Sequence, residues 1–136
     1  MADTKFHSEI RSDFPSMREV QGELISAVVA HHFDDDAVFA IKLALEEALI
    51  NAIKHGNKLD ASKTVIVDAI INDKKAEFVI QDQGEGFRRR DVPDPTHDNN
   101  REKSSGRGLL LIEAYMTDVA YSDQGRRLKM VYKKKA

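Results

Sequence analysis

The chain changes its hydrophobic period part-way along, and that change restricts it to folds with helices and strands in separate layers. Val38, Ile41, Leu45, Leu49 and Ile53 recur at helical intervals, the stripe of an amphipathic helix. From Thr64 to Ile71 all residues but Asp68 are β-branched or apolar instead, Asn72-Asp73-Lys74-Lys75 reads as a turn, and Ala76 to Asp82 as a second strand. A period near 3.6 followed by extended apolar runs points to an α+β domain.

The remaining elements fit around this switch. Lys5 to Arg11 reads as a short opening strand. Ser16-Met17-Arg18-Glu19 has the spacing of a capping box, with Ser16 as N-cap of a helix running from about Ser16 to His31. His31 and His32 at its end read as structural or solvated. Asp34-Asp35-Asp36 suits the positive end of a second helix, and Gly56 its C-terminal cap. Leu109 to Tyr115 predicts a third helix, Val119 to Ser122 a strand, Asp123-Gln124-Gly125 a turn and Leu128 to Tyr132 the last strand. Between strand and third helix, residues 88–105 are almost devoid of apolar side chains and exceed the ~12–15 residues at which structureless loops become uncommon. No repeat or linker divides the chain. The expectation is one domain over residues 1–136, a two-layer α/β sandwich whose mixed, mostly antiparallel sheet carries its helices on one face.

Charge and composition narrow the function classes. Twenty-one Lys and Arg against 23 Asp and Glu leave a formal net charge of −2, so no nucleic-acid footprint or membrane-surface patch is expected. With no cysteine there is neither a disulfide framework nor a thiolate metal site. The first residues, Met1 to His7, lack the apolar core of a signal peptide, and no apolar run approaches membrane-spanning length. A cytoplasmic location is the expectation.

Three segments carry chemistry. Glu47 and Asn51 lie one helical turn apart, His55 continues their row, and Ala44, Ala48 and Ala52 lie beside them. Asn costs roughly half a kcal/mol against Ala inside a helix, so local propensity gives no reason for it there. Its amide oxygen is a hard donor suited to Mg²⁺, and a neighbouring Glu could orient or deprotonate a hydroxyl. Taken singly, Asn51 fits a solvated helix face better, and Lys54 and His55 fit residues that complement the helix dipole. Asp82-Gln83-Gly84-Glu85-Gly86-Phe87 follows a strand: either a tight turn capped by Asp, or a carboxylate accepting from an exocyclic amine beside glycines that spare room for a flat ring. Ser105-Gly106-Arg107-Gly108-Leu109 precedes a helix. It is either a flexible joint or a place where backbone N–H groups meet a polyphosphate. No Walker A loop or Rossmann fingerprint occurs.

In order, Glu-x-x-x-Asn, Asp-x-Gly-x-Gly-Phe, Val92-Pro93-Asp94-Pro95 and Gly-x-Gly-Leu-x-Leu-Ile resemble the small bacterial anti-sigma-factor serine kinases. These belong to the ATPase group shared with gyrase, the heat-shock chaperone ATPases, histidine kinases and MutL, with a Bergerat-type ATP-binding fold. The resemblance covers nearly the whole chain. It implies ATP and Mg²⁺ as cofactors, Asn51 as the metal ligand and Glu47 as the general base. Asp82 would take the adenine amine, with Gly84 and Gly86 as the floor of the base pocket. Gly106 and Gly108 would admit the phosphates, Lys54 and Arg107 would join the ATP contacts, and residues 88–105 would be the ATP lid. The implied partners are a sigma factor and an anti-anti-sigma protein of STAS type, and homodimers occur in the family. Some of those kinases carry an Arg facing the γ-phosphate two residues before the second glycine pair, where this chain has Ser104; Arg107 or Lys103 would then have to serve. The last hairpin reads Gly125-Arg126-Arg127 where many relatives have Gly-Thr.

Three functions compete. The first is a protein-serine kinase that is also an anti-sigma factor, which Glu47 favours because a pure binder needs no base. The second is a non-catalytic partner-switch module acting through protein contacts, towards which Ser104 leans. The third is a histidine kinase catalytic domain, which would need a phosphoacceptor His on a separate helical domain.

Overall fold

The computed structural model describes residues 2–86 and 104–135. The elements in chain order are β1 (Thr4–Arg11), α1 (Phe14–Ala30), α2 (Asp35–Ile50), β2 (Thr64–Ile71), β3 (Lys75–Gln81), α3 (Ser104–Tyr115), β4 (Asp118–Ser122) and β5 (Arg127–Lys133). Five strands form one sheet in the order β1-β2-β3-β5-β4. All four pairings are antiparallel, so the sheet carries no parallel pair among the described residues. The expected lid, residues 88–105, lies outside the described residues except for Ser104 and Ser105, which open α3.

Alternation in the strands decides which face meets the helices. Val65, Val67, Ala69 and Ile71 of β2, Ala76, Phe78 and Ile80 of β3, and Leu128 and Met130 of β5 are buried on one face. Against them pack Met17, Val20, Leu24 and Val28 of α1, Ile41, Leu45 and Leu49 of α2, and Leu109 and Ile112 of α3. A period of two facing a period of 3.6 is the two-layer arrangement the sequence called for. No helix among the described residues is long and apolar enough to cross a membrane.

Helix ends account for most differences from expectation. The N-cap of α1 is Asp13 and not Ser16: the Asp13 carboxylate accepts from the Ser16 backbone N–H at 2.8 Å, placing Ser16 in the first turn. Pro15 can sit before it because first-turn positions need no N–H. Asp34 caps α2 as its position suggested, accepting from Ala37 N–H at 2.7 Å. Gly56, however, does not cap the end of that helix in a left-handed conformation. From Asn51 to Gly56 the helix widens into a π-helical turn, closed by Asn57 N–H donating to Ala52 C=O at 2.8 Å. The left-handed residues come later, at Lys58 and Leu59. His31 proves structural: it is fully buried, with Nδ1 2.8 Å from Asp73 and Nε2 2.8 Å from the Thr4 hydroxyl. It thereby ties the end of α1 to β1 and to the β2–β3 turn.

Candidate functional site

A cavity of about 210 Å³ opens between the end of α2, the end of β3, the start of α3 and the β4–β5 turn. Ala48, Ala52, Ile80, Leu109 and Leu128 supply an apolar wall, and Asn51, His55, Lys58, Asp82 and Arg126 the polar groups. Few polar groups converging on apolar walls is the usual composition of a small-molecule site. Asn51 and Asp82, far apart in sequence, thus face one space.

The widened turn after Ile50 builds the first wall. Such π turns recur at functional sites because they displace the residues that follow from the regular helical row. Here they bring Gly56 against Asp82: a Cβ on Gly56 would lie 2.5 Å from that carboxylate. Gly56 is therefore glycine for close approach, which explains why it need not be a cap. Next to it, Asn57 is fully buried and staples three segments. Its amide nitrogen donates to Ser12 Oγ and to Thr64 C=O, both at 2.9 Å, and its oxygen accepts from Gln83 N–H at 2.7 Å. Replacing it removes three hydrogen bonds that join separate segments. Asn57→Ala is expected to cost about 2–4 kcal/mol in urea denaturation; a loss below about 1 kcal/mol would mean that water replaces the staple.

Asp82 stands just past the end of β3, with its backbone N–H held by Arg126 C=O at 2.9 Å. Its carboxylate accepts from Gly84 N–H at 2.8 Å. Burial pushes its pKa above the ordinary value, opposed by the Gly84 N–H and by Arg126 and Lys63, while Asp123 adds to the rise. Gly84 is buried but does not line the cavity; a Cβ there would lie 2.0 Å from Gly56 C=O. Gly86 does line it, at φ +84°, with a Cβ position 2.2 Å from Gln124 C=O. Of the two glycines proposed as a floor, one borders the space and the other permits two backbone segments to touch beneath it.

The second glycine pair lies elsewhere than expected. α3 begins at Ser104, so Gly106 and Arg107 fall within its first turn and Gly108 follows, all inside the helix and not before it. First-turn N–H groups have no carbonyl partner in their own helix, so an anion site there remains chemically sound. Gly108 is buried against α2: a Cβ would meet Glu47 Oε2 at 2.9 Å and the Asn51 amide at 3.2 Å. Glycine at 108 leaves room for those two side chains. Glu47 itself is outside the cavity lining, beside Asn51, and burial raises its pKa, with Glu46 adding to the rise. Asn51 Nδ2 is buried without a hydrogen-bond partner among the described residues. Such an orphan costs about 1–3 kcal/mol unless something completes it. Lys54 is exposed and does not line the cavity; Lys58 and His55 do.

Fit to Mg²⁺ and a nucleotide follows from these donors. No group of three or more His, Cys, Asp or Glu side chains gathers among the described residues. Mg²⁺ commonly takes one or two protein oxygens and completes its shell with water and phosphate, which suits a lone Asn oxygen beside a carboxylate.

A sequence profile of the histidine kinase-like ATPase domain matches residues 10–132. The chain belongs to that family. Over 98 residues it is 34% identical to an anti-sigma F factor of Clostridium perfringens, covering 70% of each chain. Over 130 residues it is 30% identical to the serine-protein kinase RsbW of Listeria monocytogenes, covering 88% of this chain and 83% of that one. The crystal structure of the RsbU and RsbW domains of a Mycobacterium tuberculosis protein superposes with a TM-score of 0.65 at 16% identity. That likeness is one of fold; it covers 97% of this chain and 32% of the other. A domain of this family uses ATP. What sequence reasoning missed are Asn57, Lys58 and Arg126. Only the burial of an Asn after a helix end, or an Arg in a turn that folds back on the Asp82 loop, distinguishes them, and neither is visible before the chain is folded.

Proposed function

We propose that this chain is an ATP-dependent protein-serine kinase and anti-sigma factor of a partner-switching system, phosphorylating a serine of an anti-anti-sigma protein. One juxtaposition carries the reading: Glu47 and Asn51 meet at Gly108, and Asn51 shares its cavity with Asp82. An anti-sigma F factor and a serine-protein kinase among its relatives supply a counterpart for each half of the reading.

The base would stack on the apolar wall with its exocyclic amine donating to Asp82. Gly106 and Arg107, in the first turn of α3, would offer N–H groups to the phosphates. Asn51 would be the protein ligand of Mg²⁺, whose charge offsets that of the phosphates when bound. Glu47 would accept the proton of the attacking serine hydroxyl. The new bond joins serine oxygen to the γ-phosphorus, the bond from that phosphorus to the β–γ bridging oxygen breaks, and ADP leaves. A carboxylate lifted by burial is a better acceptor than an ordinary one, because its proton affinity lies closer to the working pH. The partners are a sigma factor, bound in sequestration, and an anti-anti-sigma protein of the STAS type.

Incubation with γ-labelled ATP and candidate anti-anti-sigma proteins tests the activity, and phosphoserine on one of them is the expected result. For the site, Asn51→Ala should weaken Mg²⁺-dependent ATP binding at least about tenfold in calorimetry, about 1.4 kcal/mol. Unchanged affinity in a folded variant would remove Asn51 from the site.

A further inference from the structure

Arg126 reaches from the β4–β5 turn across to the loop after β3. Its Nε donates to Gly84 C=O at 2.7 Å and its Nη2 to Glu85 C=O at 3.1 Å. Its Nη1 donates to Gln124 Oε1 at 3.1 Å and more weakly to Asp123 C=O at 3.3 Å. A guanidinium has five N–H groups, and these four bonds leave one. The backbone repeats the connection, with Arg126 C=O accepting from Asp82 N–H at 2.9 Å. The turn that presents it is itself unusual, since Asp123 at φ 51° and Gln124 at φ 56° are left-handed without being glycine. Such a conformation persists only where surrounding contacts hold it.

We infer that Arg126 is a positioning residue of the nucleotide pocket, a guanidinium clamp that fixes the 82–86 loop against the β4–β5 turn and so sets where the Asp82 carboxylate stands. The inference rests on the reading of Asp82 as the base-binding group. Arg126 lines the cavity, yet its donors are almost all engaged within the protein. It therefore acts on the base through Asp82. Planar, forked donation to two successive carbonyls is something a lysine ammonium cannot reproduce. Gly86 belongs to the same device: only a residue without Cβ lets the loop approach Gln124 C=O this closely.

Charge supplies a second, separable contribution. The groups around Asp82 are the Gly84 N–H, Arg126 and Lys63, which favour its ionised form, and Asp123, which opposes it. His55, Lys58, Glu85 and Tyr121 complete the titratable lining of the cavity among the described residues. As a carboxylate Asp82 is the stronger acceptor for an amine, so nucleotide affinity falls as pH drops through its pKa. Removing the Arg126 charge moves that acid limb to higher pH. Replacing it by lysine keeps the charge and loses the fork.

The experiment compares the full chain with Arg126→Gln and Arg126→Lys, both checked for folding by thermal melting. Hydrogen exchange without nucleotide is read at the amides of residues 82–86, and ADP affinity is measured by calorimetry across pH. Both variants should speed exchange in the loop and weaken ADP binding about tenfold at neutral pH, as expected for loss of charge-assisted hydrogen bonds. Only Arg126→Gln should shift the acid limb upward. Should Arg126→Gln fail to fold, loop exchange and neutral-pH affinity in Arg126→Lys decide. Loop exchange unchanged in a folded variant would overturn the clamp. If the unaltered chain bound no ADP, the nucleotide reading would fall, while exchange would still decide whether Arg126 holds the loop.

Discussion

Glu47→Gln is expected to lower serine phosphorylation by about 10²–10⁴ while ATP affinity stays within a few-fold, because a positioned base contributes about that much. The substitution preserves size and much of the hydrogen bonding, and removes the charge together with the capacity to take a proton. Phosphoryl transfer through a loose transition state depends mainly on positioning, so the loss belongs towards the lower end of that range. Glu47 lies beside Asn51 and against Gly108, with its pKa raised first by burial and then by Glu46. The same shift makes an opposite statement about stability. A carboxyl whose pKa is higher folded than unfolded contributes stability below its unfolded pKa, and that contribution is lost as pH rises through the folded value. At neutral pH the charge is therefore a burden on the fold, and Glu47→Gln should melt at a higher temperature than the parent chain. Single-turnover transfer at saturating ATP reads the rate, and calorimetric melting reads the stability. Transfer at the parental rate would take Glu47 out of the chemistry and favour a non-catalytic partner-switch module.

Gly84→Ala should be the most damaging small substitution in the described residues around the cavity. The added Cβ would stand 2.0 Å from Gly56 oxygen and 2.5 Å from Gly56 carbon, both backbone atoms that no rotamer can move aside. Gly56 cannot retreat towards Asp82, whose carboxylate already crowds it. The loop must then leave the π turn, at about 3 kcal/mol, the upper end of ordinary overpacking. With Asp82 displaced, nucleotide affinity should drop by at least about tenfold, the scale of one lost hydrogen bond to a charged group. Gly22→Ala is the control: it is exposed in α1 with nothing within 4 Å of the added Cβ. There alanine should stabilise by about 0.5–1 kcal/mol. Urea denaturation and ADP calorimetry of the two variants read both effects, and equal outcomes would contradict the packing argument.

Much of the architecture was legible before folding because periodicity is a local property. The stripe from Val38 to Ile53 and the run from Thr64 to Ile71 each contain their own burial pattern; the run formed as β2 where that pattern put it, and the stripe formed as α2 up to Ile50, with Ile53 carried into the π turn. Helix ends were less legible. At the start of α1, Asp13 and Ser16 both offer capping oxygens, and the choice between them depends on where β1 releases the chain. The start of α3 was displaced for a related reason. Two glycines disfavour a helix by local propensity, yet the contact of Gly108 with Glu47 and Asn51 makes helix there compatible with close packing on α2.

For the site, sequence alone determined which chemical groups were on offer: a Glu and an Asn one turn apart, an Asp ending a strand, and glycines where backbones must approach. Those depend on residue type and short-range spacing, which the chain carries in any conformation. Tertiary structure alone decided how they combine. It separated Gly84, which holds two backbones together, from Gly86, which borders the cavity, and left Lys54 in solvent while Lys58 lines the space. It also recruited Asn57 and Arg126, whose roles exist only because β1, β2, β3 and the β4–β5 turn converge on the same few ångströms. Hydrogen bonds between segments so distant in sequence have no local signature, since each half is an ordinary polar residue until the sheet brings its partner into reach.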